Sequence, residues 1–275
     1  MFLHRIFRRI TAEIFVRLPI AKTAKVATGV TVSLTSFPAR LANLHIVIRS
    51  LLKQTVMPER VVLYLGIDTP NSAISKKLRR LEKYNFEIKT GYEDIRPHKK
   101  YFWAMQEYPE DIIITVDDDS LYDRNLVRDL LQCHAKYPDA VCARRVNKIE
   151  KNADGSLREY KGWQWEYTGT KNPSFGLLAT GCGGILYPPK TLPREAFDIE
   201  AIKRYCLMTD DIWLKFYELK NGKKVVWSAN KIIHPLSIRD SQETAIMHCN
   251  VQSINDENIR MMQEFTGIRL TDFCE

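Results

Sequence analysis

The sequence predicts an α/β fold in a single domain, and three observations carry that reading. Strand-like apolar runs alternate with helical periodicities, one run ends in three consecutive aspartates, and the other chemistry-bearing residues follow predicted strands. At 275 residues and 45% hydrophobic content, the chain is long enough to bury a sizeable core.

The elements are expected in this order. Phe2, Leu3, Ile6, Phe7, Ile10 and Ile14 recur at helical spacing, with Arg5, Arg8 and Arg9 mostly on the other side, which predicts a basic amphipathic helix. Arginine interrupts the apolar run too often for a signal-peptide core or a membrane span, so residues 1–18 are expected to lie on an anionic membrane surface or dock on the protein's own core. Pro19 and Ala21 to Thr28 read as a linker, and Val30 to Thr35 as the first core strand. Leu41 to Lys53 is a helix, Arg60 to Leu65 a strand, Asn71 to Tyr84 one basic amphipathic helix and Phe86 to Lys89 a short strand. Lys99 to Glu107 is helical, and Asp111 to Val116 has the continuous apolar character of a central strand covered on both faces. A helix follows from Asn125 to Lys136. From Arg144 to Ser174 the texture becomes charged and aromatic around the turn Asn152-Ala153-Asp154-Gly155, which predicts a hairpin or an excursion over the site. Core texture resumes at Phe175 to Tyr187, then come a helix from Asp210 to Leu219 and a strand from Lys224 to Trp227. The domain is bounded at 29–245, with a preceding helix and linker at 1–28 and an extension at 246–275.

A formal charge of +8 calls for an anionic partner without choosing among nucleic acid, membrane surface and phosphorylated substrate. The lysines and arginines are spread over several helices, which argues against nucleic acid. Six cysteines show no CxxC pair or zinc spacing and read as reduced thiols, so a cytoplasmic location is expected, with peripheral attachment to the inner membrane face through residues 1–18.

The strongest chemical signal is Ile112-Ile113-Ile114-Thr115-Val116 running into Asp117-Asp118-Asp119. If the chain stays extended, Asp117 and Asp119 converge on one side and Asp118 faces away. Adjacent carboxylates repel unless a cation is bound, and magnesium or manganese accepts a few carboxylate oxygens and fills its remaining positions with water and phosphate. Capping of the following helix is the bland alternative, but a cap needs only one acid. Asp210 and Asp211 open a helix, where the dipole favours an ionised carboxylate able to act as a general base, and Asp211 is preferred for that role. Arg96, His98, Lys99 and Lys100 form a basic cluster, of which Lys99 and Lys100 are candidates to neutralise a phosphate. Trp163, Trp165 and Trp213 could stack on sugar rings, and Gly181, Gly183 and Gly184 permit close backbone approach. His234, after a strand, is a candidate third metal ligand.

Four pieces in this order resemble the GT-A glycosyltransferases, and among them the family-2-like enzymes of bacterial capsule and lipopolysaccharide assembly. They are Val32-Ser33-Leu34-Thr35-Ser36-Phe37, the Asp-x-Asp at Asp117 to Asp119, Thr180-Gly181-Cys182-Gly183-Gly184, and Thr209-Asp210-Asp211 before a helix. The resemblance implies a GT-A, Rossmann-like fold with a mixed, mostly parallel sheet flanked by helices. It implies a nucleotide-sugar donor such as a UDP-sugar, a glycan or lipid-linked acceptor, and a divalent metal. It implies that Thr35, Ser36, Phe37 and Arg40 line the nucleoside pocket with Asp68 near the base. Asp117, with Asp118, would face the nucleotide's ribose and Asp119 the metal, which Asp117 could share. Gly181, Gly183 and Gly184 would border the acceptor. Gly66-Ile67-Asp68 departs from the Asp-Asp-Gly-Ser stretch of many relatives. A nucleotidyltransferase is the alternative, but Ser36 to Arg40 lacks the glycine-rich, lysine-bearing loop that holds a triphosphate. A non-enzymatic basic surface-binding protein would leave the aspartates unexplained.

Overall fold

The computed structural model describes residues 11–12, 14–20, 25–230, 235–238 and 254–274. The predicted positions from Phe2 to Ile10 and His234 lie outside the described residues.

Seven strands form the central sheet: β1 (Lys25–Thr35), β2 (Val56–Gly66), β3 (Phe86–Tyr92), β4 (Ile112–Thr115), β6 (Val141–Ala143), β9 (Ile185–Tyr187) and β10 (Val225–Trp227). Their spatial order is β10-β6-β9-β4-β1-β2-β3. All neighbours are parallel except β9, which runs antiparallel between β4 and β6. The sheet is therefore mixed and mostly parallel, with helices on both faces: a single α/β domain, as the sequence predicts.

Strand alternation divides the core. Val32, Leu34, Val61, Leu63 and Ile114 face one way, toward helices α1 (Leu41–Leu51) and α4 (Leu126–Lys136), while Val62, Tyr64 and Ile113 pack with Ala104 of α3 (Lys99–Glu107). Both faces are buried, which is why β4 reads as unbroken isoleucine. A second core gathers under β6, β9 and β10, where α6 (Asp210–Lys220) contributes Trp213 and Phe216 and α7 (Asn255–Thr266) contributes Ile259 and Met262. Just before α6 in the chain, α5 (Ile199–Tyr205) is capped by Asp198, which accepts from the Ala201 N–H.

Two predicted elements differ. Strand β1 begins at Lys25 and pairs with β2 from Val56, so Lys25 to Thr28 extend the sheet instead of linking. The single helix expected from Asn71 to Tyr84 is broken into a 3-10 turn (Asn71–Ala73), a short α2 (Lys76–Arg79) and a second 3-10 turn (Arg80–Lys83). Ser75 restarts the helix by accepting from the Leu78 N–H at 3.2 Å, and the crowded cations Lys76, Lys77, Arg79 and Arg80 oppose its extension.

Two small antiparallel pairs lie beside the sheet, β5 (Ser120–Leu121) with β11 (Leu236–Ser237) and β7 (Val146–Lys148) with β8 (Leu177–Ala179). The excursion predicted after Arg144 is the segment between β7 and β8, with its turn closed by Gly155 N–H to Asn152 O at 3.0 Å. Because β1, β2 and β4 are parallel, Ser36, Asp68 and Asp117 all emerge at one edge of the sheet, where ligands of open α/β sheets bind.

Candidate active site

The acidic run begins where β4 ends. The chain turns at Asp118 and Asp119 instead of staying extended, and this overturns the expected alternation. Asp118, expected to face away, is buried and accepts from Ser36 Oγ at 2.6 Å and from Arg40 at 2.5 Å. The same Arg40 nitrogen lies 3.2 Å from Asp119 Oδ2. Asp117 turns the other way and accepts from Lys100 Nζ at 2.8 Å. None of the three caps α4, whose flanking Asn125 amide is held instead by Asp123 at 3.0 Å.

Lys100 is the hinge of the site. Its buried ammonium also lies 2.9 Å from Asp210 Oδ2, so one cation joins the β4 acids to the start of α6. Asp211 likewise looks across the site: both its carboxylate oxygens accept from the Gly181 N–H at 3.2 Å. Gly181 must be glycine here. A Cβ would stand 2.9 Å from Lys100 Nζ, 3.1 Å from Asp117 Oδ1 and 3.4 Å from Asp211 Oδ1. Replacing Gly181 by alanine is expected to push the pinned Lys100 out of register. A thermal melt should fall by several degrees, as overpacking by one methyl costs about 1–3 kcal/mol.

Charge is unbalanced. Among the described residues five carboxylates face two cations, Arg40 and Lys100, although burial is unfavourable for ions of either sign. Burial, then the Asp117 and Asp118 charges, pushes the Asp119 carboxyl up to about 6. Burial and neighbouring Asp210 push Asp211 up to about 8, against the pull of Lys100 and the Gly181 amide. The helix dipole expected to keep Asp211 ionised is thus outweighed. Lys100 is held well above the ordinary lysine range: burial opposes its charge, but Asp117, Asp210 and Asp211 surround it.

The remaining candidates divide. Phe37 lies under the Arg40 guanidinium at 5.3 Å, and Thr35 donates to Tyr64 O at 2.9 Å. Asp68 is exposed beyond β2, its Oδ1 near Gly66 and the Asp94 side chain. Lys99 does not join the acidic cluster; it is buried and ion-paired to Asp94, and Arg96 pairs with the same carboxylate. His98 is a core group bonded to Tyr101 and to Cys206 O at 2.8 Å. Trp213 is fully buried with its indole N–H on Ala196 O at 3.0 Å, and Trp163 is 4% exposed with its N–H on Arg158 O at 2.8 Å. Neither can offer a face to a sugar, because both fill core positions. Trp165 remains partly exposed beside Arg145. Gly183 and Gly184 pack inward, one against Arg145 and the other, at φ +91°, against Leu126, so both serve the turn.

Sequence reasoning missed Cys182 and Arg145. The Cys182 thiol accepts from Arg145 at 3.3 Å, and burial with nearby Asp117 and Asp211 pushes it up to about 11, so it stays protonated. Its place inside the Gly181 to Gly184 turn was the available signal. Arg145 also reaches Thr180 Oγ1 at 3.2 Å and Glu166 at 3.2 Å, anchoring that turn to the excursion.

No protein-family model matches the chain, and no curated protein matches it. Solved structures similar to it include a mannosyltransferase, PcManGT from Pyrobaculum calidifontis in complex with GDP-Man and Mn2+, at 11% identity and a TM-score of 0.47 over 98% of this chain and 79% of that one. A 4-diphosphocytidyl-2C-methyl-D-erythritol synthase is similar at 10% identity and a TM-score of 0.45, over 82% of this chain and 98% of that one. An apo-UDP-glucose pyrophosphorylase is similar at 10% identity and a TM-score of 0.40, over 89% of this chain and 99% of that one. Likenesses this distant do not decide among activities, and the functional reading rests on the residues.

Proposed function

We propose that this chain is a metal-dependent glycosyltransferase that moves a sugar from a nucleotide-diphosphate sugar to a glycan or lipid-linked hydroxyl. The observation that carries the reading is the junction at Lys100 and Gly181, where the acids after β4 and those opening α6 meet across one site. An activated sugar needs a group that holds its diphosphate and, an anomeric carbon away, a carboxylate that accepts a proton.

Among the described residues, no three acidic, histidine or cysteine side chains form a ready-made metal cage. A hard divalent cation on a diphosphate does not require one, since one or two carboxylates plus phosphate oxygens and water suffice. The Asp119 carboxyl, raised first by burial and then by the Asp117 and Asp118 charges, is one of several acids crowded at this end of β4, and such a cation would relieve that crowding, so the donor set fits. Asp119 and Asp117 would hold it, and when bound it would neutralise charge on the departing diphosphate.

Asp211, aimed by the Gly181 amide, takes the proton of the acceptor hydroxyl as that oxygen bonds to the anomeric carbon. The bond from that carbon to the phosphate oxygen breaks, and the nucleoside diphosphate leaves. Arg40 fixes Asp118 and Asp119, and Ser36 fixes Asp118 from the β1 side. Lys100 holds Asp117 against Asp210 and keeps the two halves of the site together.

The test is product release from a panel of UDP-, GDP- and dTDP-sugars with acceptor glycans, with and without manganese. Nucleoside diphosphate released in step with sugar transfer, and only with metal, is the expected result. Pyrophosphate release in a parallel assay with nucleoside triphosphates and sugar 1-phosphates would mean nucleotidyl transfer, and silence in both assays would remove the enzymatic reading.

A further inference from the structure

One groove among the described residues is far from neutral and is not part of the acidic site. It encloses about 780 Å³ beside α1, between residues 16–17 and the broken segment 77–84. Arg17, Lys77, Arg80 and Lys83 are exposed around it, and among the described residues no aspartate or glutamate lines it. Its floor is apolar, made by Val16, Leu81 and the paired-strand residues Leu121 and Ile238.

A second observation bears on the same face. Ile14 and Leu18 are 56% and 51% exposed, two of only five large apolar side chains so exposed among the described residues. They are not loose. Arg49 donates to Val16 O and Leu18 O, each at 2.6 Å, and Lys53 donates to the carbonyls of Phe15, Val16 and Leu18. Two cations thus secure the carbonyl end of the turns at 14–17, the end where the helix dipole favours positive charge. The fold keeps two apolar side chains projecting into solvent next to a cation-rimmed, apolar-floored groove.

We infer that this face binds the anionic phospholipids of a membrane surface, with headgroup phosphate on Lys77, Arg80 and Lys83 and the upper acyl chain over the apolar floor. A free phosphate would need the cations but not the floor or the exposed Ile14 and Leu18. A single-stranded nucleic acid would need a series of stacked aromatics among the cations, and among the described residues only Tyr84 and His45 offer rings in the groove. Apolar anchors beside clustered lysine and arginine are what a protein lying on an anionic bilayer presents. The inference does not depend on the proposed sugar transfer.

Cosedimentation of the full chain with phosphatidylcholine vesicles, with and without phosphatidylglycerol, tests it. Binding is expected only with phosphatidylglycerol. The double variant Lys77→Gln/Arg80→Gln should weaken binding roughly 30-fold, as two surface cations each contribute about a fivefold factor. The charge-matched control Lys161→Gln/Arg260→Gln, at exposed positions outside the groove, should bind as the unmodified chain does. Both substituted pairs are exposed, so folding is checked by circular dichroism alone. Equal binding to neutral vesicles, an unaffected Lys77/Arg80 variant, or complete competition by inorganic phosphate would each overturn the inference.

Discussion

Asp211→Asn is expected to lower kcat by about 10³-fold while leaving the melting temperature unchanged or higher, since general-base catalysis contributes about 10² to 10⁴. The asparagine keeps the shape and still accepts the Gly181 N–H with its amide oxygen, but it cannot take a proton. The pH dependence separates this from a structural effect. In the free protein Asp211 is pushed up to about 8, first by burial and then by Asp210. Only the ionised form is a base, so kcat/KM should rise about tenfold per pH unit up to about pH 8 and then level. The residual activity of Asp211→Asn should lose that rise. A variant with near-normal turnover would remove Asp211 as the base and favour a mechanism that needs none.

The sheet and the start of the site were legible because both rest on local patterns. Unbroken isoleucine before Asp117 reports a strand covered on both faces, and Val30 to Thr35 alternates as a half-polar strand does. Residues after parallel strands must share an edge, so Ser36, Asp68 and Asp117 could be grouped before any coordinates. What failed depended on contacts distant in sequence. Trp163 has polar neighbours in the chain yet is covered by Tyr160 and bonded to Arg158, so local polarity misreported its burial. Lys99 and Lys100 are adjacent on one helix, about 100° apart, and only the second faces the acids while the first turns to Asp94. Asp118 was misassigned because alternation was carried three residues past the strand's end, into a turn whose shape depends on Ser36 and Arg40, more than 75 positions earlier. Periodicity reports which way a residue faces only while the element lasts.

Asp119→Asn should abolish metal-dependent turnover, by about 10³-fold or more, because losing a metal ligand removes several kcal/mol of stabilisation from the departing diphosphate. The same variant carries a thermodynamic signature that needs no substrate. Asp119 is raised to about 6 from 3.8, so the folded protein binds its proton more tightly than the unfolded chain does. Stability from this group is therefore complete below about pH 4 and is lost as pH rises through about 6. Two units correspond to at most about 3 kcal/mol, or roughly 5 °C after discounting for its partial exposure. Between pH 5 and 7 the metal-free wild type should lose melting temperature, and Asp119→Asn should lose several degrees less. Manganese binds the ionised carboxylate, so it should raise the wild-type melting temperature more at pH 7 than at pH 5 and leave Asp119→Asn unmoved. A manganese response that survives in Asp119→Asn would place the cation elsewhere. The absence of any response in wild type, with a nucleoside diphosphate present, would remove the metal from the mechanism and leave Arg40 and Lys100, among the described residues, as the cations facing the leaving group.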